Sequence, residues 1–252
     1  MGSFASGSIR DGAEVGGTAY IAADAVVTNA YIAADAVVAA GASTVYQAAN
    51  LLEYDCEDGS GTTLTDARGN QNGTFDVINP PTWDTTNFKH GATSLAFAAL
   101  TSDVGYVSIA VGGNYFHNDF GWEFGMWFRS SATTNGITLA QRTVSGSEPN
   151  NVAVSFSMGT GVSPTLTFTV HNVGAYTSSA VTNLRDGNWH HVVLRHYGSS
   201  HNIQIIVDDF PVLSATTGSW GPNASHTSVI GSFGSGSTQD AWNADSIYYK
   251  PI

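Results

Sequence analysis

Three carboxylates alternate along one short segment of the chain, at Glu53, Asp55 and Glu57. Side chains two residues apart in an extended strand lie on the same face, so this E-x-D-x-E spacing predicts three acidic groups on one surface. Carboxylates placed in this way can serve as nucleophile and general acid in glycoside hydrolysis. The segment is therefore the one pattern in the sequence that indicates an enzyme.

Other catalytic patterns are missing from the sequence. It contains no nucleophile elbow, zinc-protease helix, dinucleotide-binding loop or phosphate-binding loop. His190 and His191 are adjacent and are expected on opposite faces of one strand, so we do not expect them to bind one transition-metal ion together. These observations favour a protein that is not an enzyme.

The composition restricts the partners. Acidic residues number 20 against 8 Lys and Arg, and this formal net charge of -12 argues against nucleic acid and anionic membranes. No run of 18 apolar residues occurs, so we expect no membrane insertion. The lone Cys56 predicts no intrachain disulfide, and the N-terminal residues lack the pattern of a signal peptide. Together these features favour a protein that belongs to a particle assembled inside a cell and released by lysis.

Residues 19–27 and 30–38 share the sequence A-Y-I-A-A-D-A-V-V at a spacing of 11 residues, which is a true internal repeat. The period fits three helical turns, whereas the β-branched junction between the copies favours short strands, and a flexible Ala-rich linker is a third alternative. Two copies cannot bury their own apolar face, so we predict an anchor or a homo-oligomer, with a trimer favoured. The predicted contact residues are Tyr20, Ile21, Val26, Val27, Tyr31, Ile32, Val37 and Val38.

This repeat resembles the short A-x-I-A-x-x-A-V repeats near the N-termini of bacteriophage tail-fibre and other virion-fibre proteins. The resemblance implies attachment to other virion proteins at the N-terminal end and a distal adhesin on the virion surface. A secreted bacterial carbohydrate-binding module is the alternative.

From residue 51 onward, period-two or continuously apolar segments alternate with turns rich in Gly, Asn and Pro. Apolar residues make up 42% of the chain, enough for a sizeable core. We therefore predict an all-β fold, a two-sheet antiparallel jelly-roll sandwich over residues 51–252, after a short N-terminal extension over residues 1–50. The clearest segments are residues 106–111, 122–128, 152–156, 165–170, 191–195 and 203–207.

Six segments occur in the order typical of laminin G-like, concanavalin A-like jelly rolls. Residues 186–192 match the family's D-G-x-W-H-H-V motif, and residues 58–74 resemble its glycine-rich opening. Arg68 and Asp209 stand where the family usually has Ser and Gly. The resemblance implies a non-catalytic domain that binds carbohydrate or protein, often with one Ca²⁺. The other four segments are residues 91–97, 124–128, 207–209 and 242–249.

The first loop and the last strand lie close together in such folds, so the resemblance implies Asp66, Asn70 and Asp245 as Ca²⁺ ligands. The alternative is that Asp66 only caps its own Gly-Asn turn. Laminarinase-type glucanases share the fold and the E-x-D-x-E pattern. Here that pattern lies on the first strand of the domain, which makes the β-glucanase alternative weak.

Host surface glycans are the partner that the resemblance favours, and sugar binding requires exposed aromatic rings beside amides and hydroxyls. Trp122, Trp127 and Trp189 lie within strand motifs and are predicted core residues. The predicted sugar-binding residues lie in loops: Trp220, Tyr176, Tyr115 and His117.

If the repeat holds copies of the chain together, the full chain should be a homo-oligomer in solution, whereas a chain that begins at Leu51 should be a monomer. Light scattering gives both masses directly. Monomers in both cases would rule out oligomerisation through the repeat.

Overall fold

The computed structural model describes residues 51–101, 105–109, 115–116, 120–143, 152–220, 227–233 and 238–252. These residues form sixteen β-strands and one 3-10 turn, Gly198–Ser200, within one compact unit. The predicted all-β fold is confirmed. The repeat and its eight contact residues lie outside the described residues, so the division near residue 50 stays a prediction. In the described part, no helical segment has the length and hydropathy of a membrane span.

The first sheet contains eight strands, and every neighbouring pair is antiparallel. Numbered along the chain, they are β1 (Leu52–Tyr54), β4 (Thr82–Asp84), β5 (Ser94–Phe97), β7 (Gly121–Arg129), β12 (Trp189–Tyr197), β13 (Asn202–Val207), β14 (Phe210–Thr216) and β16 (Trp242–Pro251). Their order across the sheet is β14-β13-β12-β7-β16-β5-β4, and β1 pairs with the distal half of β16.

The second sheet also contains eight antiparallel strands. They are β2 (Thr63–Leu64), β3 (Gly73–Phe75), β6 (Gly105–Ile109), β8 (Ile137–Thr143), β9 (Val152–Met158), β10 (Leu166–Val170), β11 (Gly174–Thr177) and β15 (Ser228–Ser232). Their order is β11-β10-β9-β8-β15-β6-β3-β2. Two such sheets with a shared core confirm the predicted jelly-roll sandwich.

Strand β7 shows how the alternation of side chains builds the core. Phe124, Met126 and Phe128 are at most 2% exposed and belong to the core between the sheets. The residues between them must point to the other side of the sheet, because successive side chains of a strand alternate. We call that side, which faces away from the second sheet, the outer face.

A buried ion pair connects four loops at one end of the sandwich. The Arg185 guanidinium binds the Asp240 carboxylate and donates through Nη1 to the carbonyl oxygens of Asn135 (2.7 Å) and Gly159 (2.9 Å). Asp240 also accepts the Asn135 backbone N–H at 2.8 Å. Burial opposes ionisation of Asp240, but the hydrogen bonds from Asn135 and Arg185 outweigh it and lower its pKa below the ordinary value.

Replacing Asp240 with Ala should therefore destabilise the domain by about 3–5 kcal/mol, because it leaves a buried guanidinium without its counter-ion. Urea unfolding at pH 7 measures this change. The matched control is Asp58→Ala, which removes an exposed carboxylate bound only to the Thr65 N–H and should cost much less. Equal losses for the two variants would contradict the role of the buried pair.

Candidate functional site

On the outer face of β16, β7 and β12, the strand register sets side chains of the three strands next to each other in rows across the sheet. Asn243, Arg129 and Trp189 form one row, and Asp245, Trp127 and His191 form the next. Lys250, Glu123 and Arg195 form a row farther along the strands. We call the outer-face region of these rows, together with Tyr248 and the overlying Lys89, the aromatic-basic face.

Two tryptophans lie on the aromatic-basic face. Trp127 and Trp189 are half-buried, and neither packs against the core between the sheets. The prediction that these two residues are core is therefore wrong, whereas Trp122, 1% exposed, is in the core as predicted. Trp127 is an even number of residues from both Glu123 and Arg129, so the alternation of a strand puts all three side chains on one face. This spacing was the signal in the sequence that could have placed Trp127 outside the core.

The Trp127 ring lies among three basic side chains. The Lys89 Nζ is 4.1 Å from the ring centroid, and the His90 ring meets it edge-on with centroids 5.7 Å apart. The His191 ring is tilted against it at 5.2 Å. Burial lowers the pKa of His191 below its ordinary value, so His191 is neutral at pH 7.

Lys89 reaches Trp127 because two carboxylates, the buried Asp245 and the exposed Glu57, hold the loop between β4 and β5. Asp245, fully buried on β16, accepts the backbone N–H groups of Lys89 (2.7 Å) and His90 (2.9 Å). At the other end of the loop, Glu57 accepts the Ala92 N–H at 2.9 Å. The loop is thus tied to β16 and to the segment after β1, and Lys89 is presented to solvent above Trp127.

A network centred on Glu123 forms the next part of the face. This buried carboxylate accepts the Tyr248 hydroxyl at 2.9 Å and the Arg195 Nε–H at 2.7 Å, and it pairs with Lys250 at 2.9 Å. Burial opposes ionisation of Glu123, but the donors from Lys250, Arg195 and Tyr248 outweigh it and lower its pKa below the ordinary value. Glu123 is therefore ionised and fixed at neutral pH.

Gly125 allows the Tyr248 ring to reach Glu123. A Cβ atom at Gly125 would lie 2.4 Å from the Tyr248 ring and hydroxyl, far inside contact distance. The ring thus lies directly across the backbone of β7, and a glycine is required beneath it.

A polar groove of about 460 Å³ continues the outer face toward the sheet edge at β14. Tyr197, 40% exposed, donates to the Gln204 Oε1 at 2.7 Å, and the Gln204 Nε2 donates to the Ser214 hydroxyl at 3.4 Å. The Thr216 hydroxyl donates to the Asn202 Oδ1 at 2.8 Å. An aromatic ring beside amides and hydroxyls is the arrangement that sugar recognition requires.

The predicted sugar-binding residues do not meet on one surface. Trp220 is 6% exposed and donates its indole N–H to the Phe116 carbonyl at 3.1 Å. Its ring is therefore buried and does not offer an exposed face to a sugar. Tyr115 is 2% exposed and packs edge-on against Tyr249, and burial raises its pKa to about 12. Tyr176 is half-buried on β11, in the second sheet. His117 lies outside the described residues.

The predicted Ca²⁺ ligands are engaged in the fold. The Asp66 carboxylate accepts four backbone N–H groups at 2.8–3.1 Å, those of Glu53, Arg68, Asn70 and Gln71. This is the alternative in which Asp66 organises its own turn. Asp245 is fully buried beneath Lys89 and His90, as described above.

The remaining predicted ligand, Asn70, donates its side-chain amide to the Leu51 carbonyl at 2.7 Å. Within the described ranges, no group of three or more His, Cys, Asp or Glu is arranged to hold a metal ion. These residues do not fit a Ca²⁺ site, because the carboxylate oxygens already face backbone donors.

The E-x-D-x-E carboxylates alternate with the buried residues Tyr54 and Cys56. Burial and the charges of Glu53 and Glu57 raise the pKa of Asp55, which agrees with a shared face. Glu53 pairs with Arg68 at 2.5 Å, and Glu57 holds the loop before β5. The two glutamates are therefore committed to structural contacts.

Comparison with known protein families supports the fold. Residues 128–246 match the family model of the laminin G domain. This stretch contains the predicted D-G-x-W-H-H-V motif and β12, and it supports the laminin G-like resemblance over residues 128–246. No curated protein sequence matches the chain.

Solved structures with the same fold come from several sources. The chain aligns with a carbohydrate esterase of the Shiga toxin-encoding bacteriophage phi24B at 14% identity and a TM-score of 0.55, over 79% of this chain and 97% of that one. It aligns with a Trypanosoma rangeli sialidase at 12% identity and a TM-score of 0.52, covering 79% of this chain but only 30% of the sialidase.

A third structure is that of botulinum neurotoxin type C, whose cell entry depends on two ganglioside molecules. The identity is 13% and the TM-score 0.56, over 82% of this chain and 49% of the toxin chain. At these identities the similarity shows the fold alone.

Glu123→Gln should destabilise the domain by about 1–3 kcal/mol at pH 7, because three donors lose a charged acceptor. The contribution of a carboxylate with a lowered pKa is present above its ordinary pKa and is lost as the pH falls through the lowered value. The difference in unfolding free energy between wild type and variant should therefore shrink below about pH 4. Denaturant unfolding from pH 7 to pH 3 measures it, and a constant difference would contradict the network.

Proposed function

We propose that the chain is a non-catalytic carbohydrate-binding protein whose ligand lies along the outer face of the first sheet. The observation that carries this proposal is the presence of two half-buried tryptophans, Trp127 and Trp189, outside the core. The Trp189 indole makes no hydrogen bond or ring contact with another described side chain, so it is free to meet a ligand. An aromatic face beside polar donors suits a pyranose ring, whose C–H groups form an apolar face and whose edge carries hydroxyl groups.

The outer face is long enough for an extended glycan. Trp189 and Tyr197 stand at opposite ends of β12, eight residues apart, which corresponds to roughly 26 Å. The Tyr197 groove, with its amides and hydroxyls, lies at one end, and the aromatic-basic face extends to the other. The ligand we propose is therefore an oligosaccharide rather than a single sugar.

The absence of catalysis is part of the proposal. Glu53 and Glu57, the two residues that a β-glucanase would use, are held by Arg68 and by the Ala92 N–H. A nucleophile and an acid need freedom to exchange partners with the substrate, which these contacts oppose.

We further propose that the jelly roll is the outer end of a virion fibre and attaches it to host glycans. The support is the internal repeat at residues 19–38, with its resemblance to virion-fibre repeats. The self-association and the virion partners predicted from that repeat belong to this proposal, as does the location on the virion surface. The ganglioside-dependent neurotoxin illustrates how this fold can serve attachment. A secreted bacterial carbohydrate-binding module remains the alternative.

Trp189→Ala should weaken glycan binding at least about tenfold, because loss of stacking removes an aromatic anchor. Binding to a glycan array and calorimetry on the best ligand measure the change. The matched control is Phe210→Ala, which removes a 74% exposed ring at the start of β14. Phe210 is paired with the core residue Val207, so its ring lies on the side of the sheet opposite the proposed ligand path. Unchanged binding by Trp189→Ala, with both variants folded, would refute the proposed surface.

A further inference from the structure

The basic residues of the described chain are segregated to the aromatic-basic face. Arg142 and Arg185 are buried, and Arg68 pairs with Glu53 beside β1. Arg10 lies outside the described residues. The other four of the eight Lys and Arg residues all belong to the aromatic-basic face: Lys89, Arg129, Arg195 and Lys250. Such concentration is unexpected in a chain with a formal net charge of -12.

The four cations fall into two pairs with different surroundings. Arg195 and Lys250 share the buried Glu123 carboxylate, so one of their two positive charges is compensated within the protein. Lys89 and Arg129 have no carboxylate partner among the described residues. Lys89 lies over the Trp127 ring, and Arg129 donates only its Nε–H, to the Gly187 carbonyl at 2.7 Å.

Three acidic groups near Lys89 and Arg129, Asp245, Asp208 and Asp186, are already engaged by hydrogen-bond donors. Asp245 beneath Lys89 accepts two backbone N–H groups and the Ser246 hydroxyl. Asp208 accepts from His190 and from the His191 N–H. Asp186 binds Asn188 and His190, and Asp209 faces His191 from the hairpin.

The two unpaired cations lie close to each other. Trp127 and Arg129 are two residues apart on the same face of β7, a separation of roughly 7 Å. Because Lys89 lies over Trp127, an ammonium and a guanidinium flank one short stretch of β7, next to Trp189. An ammonium held by a ring face keeps its N–H donors for a ligand.

We propose that this stretch selects a sugar that carries an anionic oxygen group, a carboxylate or a phosphate, between Lys89 and Arg129. The inference rests on the proposed carbohydrate-binding function and specifies its ligand class. The guanidinium supplies a planar fork for two oxygens, and the ammonium supplies a second charge. The uncharged part of the same glycan meets Trp189 and the polar groove.

The test uses the full chain on a glycan array that presents sialylated, uronic-acid and phosphorylated glycans, each beside its neutral counterpart. We expect the acidic member of the bound pairs to be preferred at least about tenfold. The chemical class of the preferred member distinguishes carboxylate from phosphate. Equal binding of acidic and neutral members overturns the anionic preference and leaves the proposed function standing. No binding to any glycan overturns both.

Variants identify the residues responsible. Lys89→Met keeps the alkyl stem and removes the charge, and it should weaken binding of the preferred acidic glycan about tenfold while leaving its neutral counterpart unchanged. Arg68→Met changes the net charge equally at a site outside the aromatic-basic face and should preserve the preference. Retained preference in a folded Lys89→Met, Arg129→Gln double variant would overturn the assignment.

Discussion

The register of β7 between β12 and β16 is the constraint on which the rest of the outer face depends. β7 pairs with β12 over its whole length and with β16 over most of it. Its inward residues, Phe124, Met126 and Phe128, complete the core, and that burial fixes the phase of the strand. A slip of one residue would turn Glu123 and Arg129 into the apolar core between the sheets and move three large apolar side chains to the outer face, so the alternative register is strongly disfavoured.

Once that phase is fixed, long-range polar contacts complete the surface. Asp245 holds the backbone of Lys89 although 156 residues separate them in sequence. The Glu123 carboxylate binds Tyr248, Arg195 and Lys250, which belong to the two neighbouring strands. Gly125 has no side chain, and this leaves the space that the Tyr248 ring occupies. The carboxylates of this region therefore act inside the fold, and the exposed charge that remains for a ligand is positive at Lys89 and Arg129.

The fold class could be predicted from the sequence because turn residues and period-two segments are local signals. The phase of β7 could not be assigned with the same ease, because Trp122, Phe124 and Phe128 lie on one side while Trp127, also apolar, lies on the other. Glu123 indicated the correct side. Trp220 shows the converse difficulty: a loop position suggested exposure, but its indole N–H is bound to the Phe116 carbonyl inside the sandwich. Such contacts depend on residues far apart in the chain.

The proposed glycan lies across the outer face at Trp127 and Trp189. An NMR titration tests this site by following the indole N–H signals of the six tryptophans while the tightest-binding glycan is added. We expect the signals of Trp127 and Trp189 to shift in proportion to occupancy, while those of the core residues Trp122 and Trp242 stay in place. Shifts confined to other tryptophans, with Trp127 and Trp189 unaffected at saturation, would contradict it.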